Sequence, residues 1–318
     1  MATGTPPPTS RHFQLHALAD GIYAAIAVEG TGSGSNAGII DLGEQVVIFD
    51  TFLTPQAAAD LRHAAEQLTG RPASLVINSH WHGDHTQGNQ VFTPETVILA
   101  TNQTRDLKAT RGAHSVERHK ALIPAELQKL EAQLQQEQDE QKRSELLVEI
   151  GEVREIAKSI EMLTLRLPDQ TFEERKLLAG TRRSAELLTY GGGHTASDAF
   201  LLLSAERLAF LGDLLFVQSH LWIGDGNSQE WQRIIRQIEQ LDLHLCVPGH
   251  GPLGSPADFP ATLGYLEAVE QIVSDALKNG TSAEEAAATP APAGYSGWAW
   301  PVGWSANIQA LIETARKG

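Results

Sequence analysis

The chain has 318 residues, a mass of 34.4 kDa and a mean hydropathy of −0.20. Hydrophobic residues make up 42% and charged residues 20%, a balance that excludes a disordered or fibrous chain and leaves enough apolar side chains for a sizeable core. The net charge of −15 argues against a nucleic-acid partner, which demands a concentrated basic surface, and the single cysteine, Cys246, excludes a disulfide framework or a Cys-rich zinc module.

Residues 1–20 read as a flexible N-terminal segment. The Pro/Thr/Ser-rich start lacks the apolar run of a secretory signal, and no stretch approaches the ~20 apolar residues of a membrane span. The expectation is a cytoplasmic protein with no membrane partner. Residues 21–318 read as one α/β domain. Apolar runs at 22–28, 37–40 and 45–49, punctuated by Gly, Ser and Asn, predict strands joined by tight turns, and 30–34 reads as a flexible turn. Thr54-Pro55 opens a helix as cap and first-turn proline; Ala57, Leu61, Ala64, Ala65 and Leu68 form its apolar face, and Gly70 stops it. Strands follow at 74–78 and 96–100.

Residues 104–166 form a helical insert. No glycine occurs from 113 to 150, and apolar residues recur at helical spacing: Leu127, Leu130 and Leu134, then Leu146, Ile150, Val153, Ala157 and Ile160. Two helices bent near 138–144 are expected, one continuous helix being the alternative. The insert reads as a solvated decoration, a lid, or a surface that pairs two chains as a homodimer. Strands resume at 176–179, 185–190, 199–203 and 208–211. A helix at 231–241, a strand at 244–247 and a helix at 257–278 come next. Residues 283–297 read as irregular, and 304–316 as a terminal helix.

The chemistry is concentrated in Ser79-His80-Trp81-His82-Gly83-Asp84-His85. With 12 histidines in 318 residues, chance would produce His-x-His-x-Asp-His roughly 7 times in 10,000. Imidazole and carboxylate are the usual ligands of zinc and other borderline divalent ions. In an extended segment His80 and His82 point the same way, and Gly83 allows a turn that sends Asp84 and His85 to a second position. His194 follows a strand in Gly191-Gly192-Gly193-His194-Thr195. Asp213 ends the strand at 208–211, and His250 ends the one at 244–247. A single site explains all of these placements together.

This set, in this order, resembles the metallo-β-lactamase superfamily from about residue 21 to 251, the insert excepted. The resemblance implies an αββα four-layer sandwich carrying a helical insertion. It implies that His80, His82 and His194 hold one metal, that Asp84, His85 and His250 hold a second, and that Asp213 bridges both. A bridging Asp is similar to the glyoxalase II-like and lactonase-like branches. Asp50 resembles a carboxylate that supports the ligands, a plain strand-end role being the alternative. Two divalent ions are expected, zinc first, with iron or manganese as alternatives. Such a pair lowers the pKa of bound water toward ~7. The expected enzyme is a hydrolase in which a metal-bridging hydroxide attacks a small ester, lactone, thioester or phosphoester, with Asp84 as catalytic residue. A mononuclear-iron sulfur dioxygenase is the alternative, and a promiscuous β-lactam hydrolase a weaker one. His220, Trp222 and Asp225, just beyond Asp213, are the candidate substrate-pocket residues. Cys246 and Trp81 read as packing, and so does the cluster Trp298, Trp300 and Trp304, a substrate wall being the alternative.

Overall fold

The computed structural model describes residues 8–316. They fall into two compact units that divide at Leu187/Leu188.

The first unit carries a seven-stranded sheet. Strands β1 (Phe13–Ala19), β2 (Ile22–Ala27), β3 (Ala37–Asp41) and β4 (Val46–Phe49) pair antiparallel in sequence order. Helix α1 (Pro55–Thr69) then carries the chain to β5 (Leu75–Ile77), parallel to β4. A short helix α2 (Gly83–Thr86) leads on to β6 (Val97–Thr101), parallel to β5. The segment 13–19 is therefore a strand, inside the stretch expected to be flexible. Its residues Phe13 and Leu15 join the core under β2, and Phe13, Leu15 and Ala17 alternate with Gln14 and His16, a period-two strand signal that the polar start of the chain overshadowed. Residues 1–7 of that expected segment lie outside the described residues.

Helix α1 begins and ends where its sequence says. The Thr54 hydroxyl accepts from the Ala57 N–H at 3.4 Å, and Gly70 closes the helix in the left-handed region. Ala57, Leu61, Ala64 and Ala65 pack with Ile39, Ile48, Val76 and Ile98, four residues paired in register across β3, β4, β5 and β6. Burying each Leu or Ile contributes about 1.5–3 kcal/mol. That row spaces the parallel strands so that β4 and β5 end side by side, which places Asp50 and Ser79 next to each other.

The insert consists of α3 (Asn102–Leu107), a π-helical turn (Lys108–Gly112), α4 (Ala113–Gln136) and α5 (Glu140–Ser159). The chain breaks at Glu137–Asp139, where the Asp139 carboxylate accepts from the Lys142 N–H at 2.9 Å, so two helices form rather than one. All eight apolar residues picked from the sequence belong to one cluster between α4 and α5. Residues 30–34 are packed rather than free: the Gly32 N–H donates to Glu152 of α5 at 2.9 Å, and Thr54 N–H donates to Gly32 O at 3.1 Å. Beyond the insert, β7 (Gln170–Phe172) completes the first sheet beside β6. Strand β8 (Arg175–Ala179) follows, and β9 (Ser184–Thr189) contains the boundary between units.

The second unit contains β10 (Ala199–Leu203), β11 (Leu208–Phe216), α6 (Ser228–Ile238) and β12 (Leu245–His250). Three further helices, α7 (Phe259–Asn279), α8 (Ala283–Ala287) and α9 (Val302–Ala315), complete it. The second sheet has the order β12-β11-β10-β9-β8. Strands β10 and β11 are buried along their whole length, which explains their unbroken apolar runs. Helix α8 occupies part of a segment expected to be irregular, opened by Ser282 accepting from the Glu285 N–H at 3.1 Å. No helix among the described residues is long and apolar enough to cross a membrane.

Candidate metal centre

In the first unit, the ends of two parallel strands build a rigid mount for imidazoles. Asp50 leaves β4 with φ 61° and is fully buried. Its Oδ1 accepts from Ser79 N–H at 2.8 Å, and its Oδ2 accepts from Ser79 Oγ–H at 2.7 Å and from His85 Nδ1 at 2.8 Å. Because Ser79 spends its proton on the carboxylate, its oxygen accepts from His80 Nδ1, 2.9 Å away. One carboxylate therefore sets two tautomers: both His80 and His85 carry Nδ1–H, and Nε2 is the donor atom toward a metal. Burial pushes the Asp50 carboxyl up, while His85 and the Ser79 donors pull it back. The supporting role expected for Asp50 is thus observed in its contacts.

The His80 ring lies 4.7 Å from that of His82 and 4.3 Å from that of His85. Asp84 opens α2, 26% of its side chain exposed, with Oδ2 at 3.4 Å from His85 Nε2. Ser35 Oγ–H donates to the Asp84 carbonyl at 2.7 Å, tying this turn to the loop before β3. Trp81 is buried, as expected of a packing residue.

In the second unit, His194 is set by both backbone and side chain. Its Nδ1 meets the Trp222 carbonyl at 2.9 Å, again fixing Nε2 as the donor. Asp198 holds the loop that presents it, accepting from Gly193 N–H at 2.8 Å, from Thr195 N–H at 3.1 Å and from Thr195 Oγ–H at 2.7 Å. The sequence reading missed Asp198, although the Thr195-x-x-Asp198 turn spacing carried the signal. Asp213 does not end a strand, as expected. It lies within β11, at a register irregularity beginning at Gly212, and such a bulge re-aims a side chain. Its Oδ2 stands 3.1 Å from His194 Nε2 and 3.3 Å from His250 Nε2. Gly249 is required beside it, because a Cβ there would come within 1.9 Å of Asp213 Oδ1.

By donor geometry, the seven residues sort into two sets able to hold a metal ion: His80, His82, His194 and Asp213, and Asp84, His85 and His250. Five imidazoles and two carboxylates, three of the imidazoles held by hydrogen bonds at Nδ1, match the donor chemistry of a divalent cation. The candidate pocket residues fare unevenly. Trp222 is half-buried, and its indole N–H donates to Asp225 at 2.9 Å. His220 is a correction: it is buried, its Nδ1 is 3.1 Å from the Tyr265 hydroxyl, and its ring packs edge-on to Trp298. Burial lowers its pKa. Cys246 is buried in the second core with its thiol pushed up to about 12, which suits packing and not nucleophilic chemistry.

Comparison with known proteins agrees with this arrangement. A curated relative, the 2,4-dinitroanisole O-demethylase subunit alpha of Nocardioides sp. (strain JS1661), is 24% identical over 266 residues. The match covers 83% of this chain and 63% of that protein's length, so the chain spans less than two thirds of that relative. Among solved structures, a metallo-β-lactamase from Pontibacter korlensis aligns with a TM-score of 0.58 at 18% identity, covering 80% of this chain and 99% of that one. The FIM-1 metallo-β-lactamase from Pseudomonas aeruginosa, in its mono-zinc form, aligns with a TM-score of 0.57 at 14% identity, covering 83% and 97%. The fold is thus the α/β sandwich expected from the sequence. The family model of the metallo-β-lactamase superfamily matches residues 30–250, a span that contains every proposed ligand, and the chain belongs to that superfamily.

Proposed function

We propose that this protein is a binuclear metal-dependent hydrolase of a small ester, lactone, thioester or phosphoester. His80, His82 and His194 would hold one ion, Asp84, His85 and His250 the other, and Asp213 would serve both. The observation that carries this reading is the Asp213 carboxylate, one oxygen of which lies within 3.3 Å of the Nε2 atoms of two histidines assigned to different ions. Zinc is the first choice for this donor set, with iron or manganese next. Bound there, a pair of divalent ions supplies a hydroxide equivalent at neutral pH and polarises a carbonyl or phosphoryl oxygen.

The protein's own residues do the rest. Asp50 and Ser79 keep the His80 and His85 donors aimed. The Trp222 carbonyl and Asp198 do the same for His194. Asp84 is the most exposed carboxylate of the set and faces His85. It would orient the attacking water and carry its proton to the leaving group. The activity in the name of the curated relative, O-demethylation of 2,4-dinitroanisole, breaks a different bond, and it belongs in the assay panel.

The test joins elemental analysis of the purified protein to turnover assays on a lactone, a thioester, a phosphodiester, a β-lactam and 2,4-dinitroanisole. Two zinc ions per chain and hydrolysis of at least one of the first three are expected. Turnover should fall to background in His82→Ala and Asp213→Ala, with folding retained. One iron per chain, with oxygen uptake on a persulfide, would replace this reading with the sulfur dioxygenase. Full activity in either variant would overturn the site.

A further inference from the structure

We propose that Trp222 and Trp300 form an aromatic subsite that receives the aryl group of the substrate, a specificity element for the site proposed above and dependent on that reading. Trp222 adjoins a proposed ligand: its carbonyl meets His194 Nδ1 at 2.9 Å, on the ring edge opposite the donor Nε2. Its indole N–H is satisfied by Asp225, so what the side chain has left to offer is an apolar face. The ring of Trp300 meets it edge-on, with centroids 6.3 Å apart and planes at 64°.

Trp300 is 44% exposed, and it is the single aromatic among the exposed large hydrophobic side chains of the described residues. Its backbone has φ 57°, a left-handed conformation that strains a bulky L-residue. The local fold is built to sustain that strain. Ala299 is stitched to the loop before Trp222 by two backbone bonds, His220 N–H to Ala299 O at 3.0 Å and Ala299 N–H to Gln218 O at 2.9 Å. Gly303 lies against the ring, where a Cβ would come within 2.5 Å of Cε3. The Asn307 side chain fixes the same loop, accepting from Ile223 N–H at 2.7 Å and donating to Leu221 O at 2.6 Å.

An indole held outward at conformational cost, edge-on to a second indole beside a ligand histidine, is not explained by packing alone. Trp298 and Trp304 do the packing in that region, stacked or edge-on with Tyr265 and Tyr295. Two indoles with a carboxylate at their polar edge favour a flat, uncharged aryl group and disfavour an anion at that end.

The experiment compares phenylacetate with acetate by isothermal titration calorimetry on the protein as purified, which needs no turnover. Wild type should bind phenylacetate about tenfold more tightly than acetate. That preference should fall to about twofold or less in Trp300→Ala. It should fall equally in Trp300→Leu, which keeps bulk over Gly303 without a π-face and decides the matter if the alanine variant fails to fold. Trp300→Phe should retain most of it. A wild type without preference, or a Trp300→Leu variant with the full preference, overturns the subsite. An aryl preference in a protein that hydrolyses nothing would sink the hydrolase reading and leave the subsite standing.

Discussion

At the scale of single residues, the site depends on who controls a proton that no ligand uses. Asp50 serves His85 directly and His80 through Ser79, and its left-handed backbone is one that Asn also tolerates. Asp50→Asn is therefore a clean probe. If the amide keeps its oxygen on the Ser79 N–H, it turns an NH₂ toward His85 Nδ1. Two donors then face each other, and the imidazole must move its proton to Nε2, the atom needed by a metal. Metal affinity should fall about 10–100-fold, the usual effect of losing such a support, with the fold intact. Competition against a chromophoric zinc chelator measures it, and unchanged affinity would refute the tautomer argument. The ligands themselves were legible because their spacing is compressed into six residues. The supports were less so, because Asp50 and Ser79 lie 29 positions apart and meet only where β4 and β5 run parallel.

At the scale of elements, the helices with strong caps or long apolar stripes were legible: α1 through Thr54 and Gly70, and the α4–α5 pair through its heptad-like leucines. Elements whose existence depends on a distant partner were not. Strand β1 is an edge strand held on one side only, by β2, and β11 runs on past Gly212 only because β12 pairs beyond the irregularity. The π-helical turn was also invisible in the sequence, and it holds an unusual residue. Lys108 is fully buried, and its ammonium donates to the Thr86 carbonyl at 3.2 Å, at the end of the ligand-bearing α2. Burial alone lowers its pKa to about 7, against about 10.5 in the unfolded chain. The sign follows from that order. Below pH ~7 the folded protein must bury the charge, at a cost on the order of 5 kcal/mol; the cost shrinks as pH rises and vanishes above ~10.5. Lys108→Met removes it and leaves one carbonyl short of a donor, worth about 1–3 kcal/mol. The variant should be more stable than wild type at pH 6.5, with the gap closing or reversing at pH 9.5. Urea denaturation at the two pH values reads this directly, and a gap that does not change with pH would show that the lysine is not buried as an ammonium.

At the scale of the whole molecule, the superfamily could be read from the order of the ligands along the chain, whereas overall identity to the solved relatives is only 14–18%. The reason is physical: apolar cores tolerate many substitutions of similar volume, while a cation tolerates few changes of donor. The two units show this division. Each has an apolar cluster of its own, while the proposed donors are seven side chains spread over both parts of the sequence, from His80 to His250. A metal that requires donors from both parts of the sequence binds the folded chain and not the unfolded one, so its binding energy adds to stability. At a free metal concentration 100 times the dissociation constant, the gain is about 2.7 kcal/mol. For a chain of this size that corresponds to a rise in Tm of about 4 °C. Protein stripped with a chelator should therefore melt lower by that amount, and added zinc should restore the original Tm. Asp213→Ala, which removes the carboxylate common to both proposed ions, should show little response to either treatment. Equal melting of stripped and zinc-loaded wild type would mean that these seven residues do not act together on a bound cation.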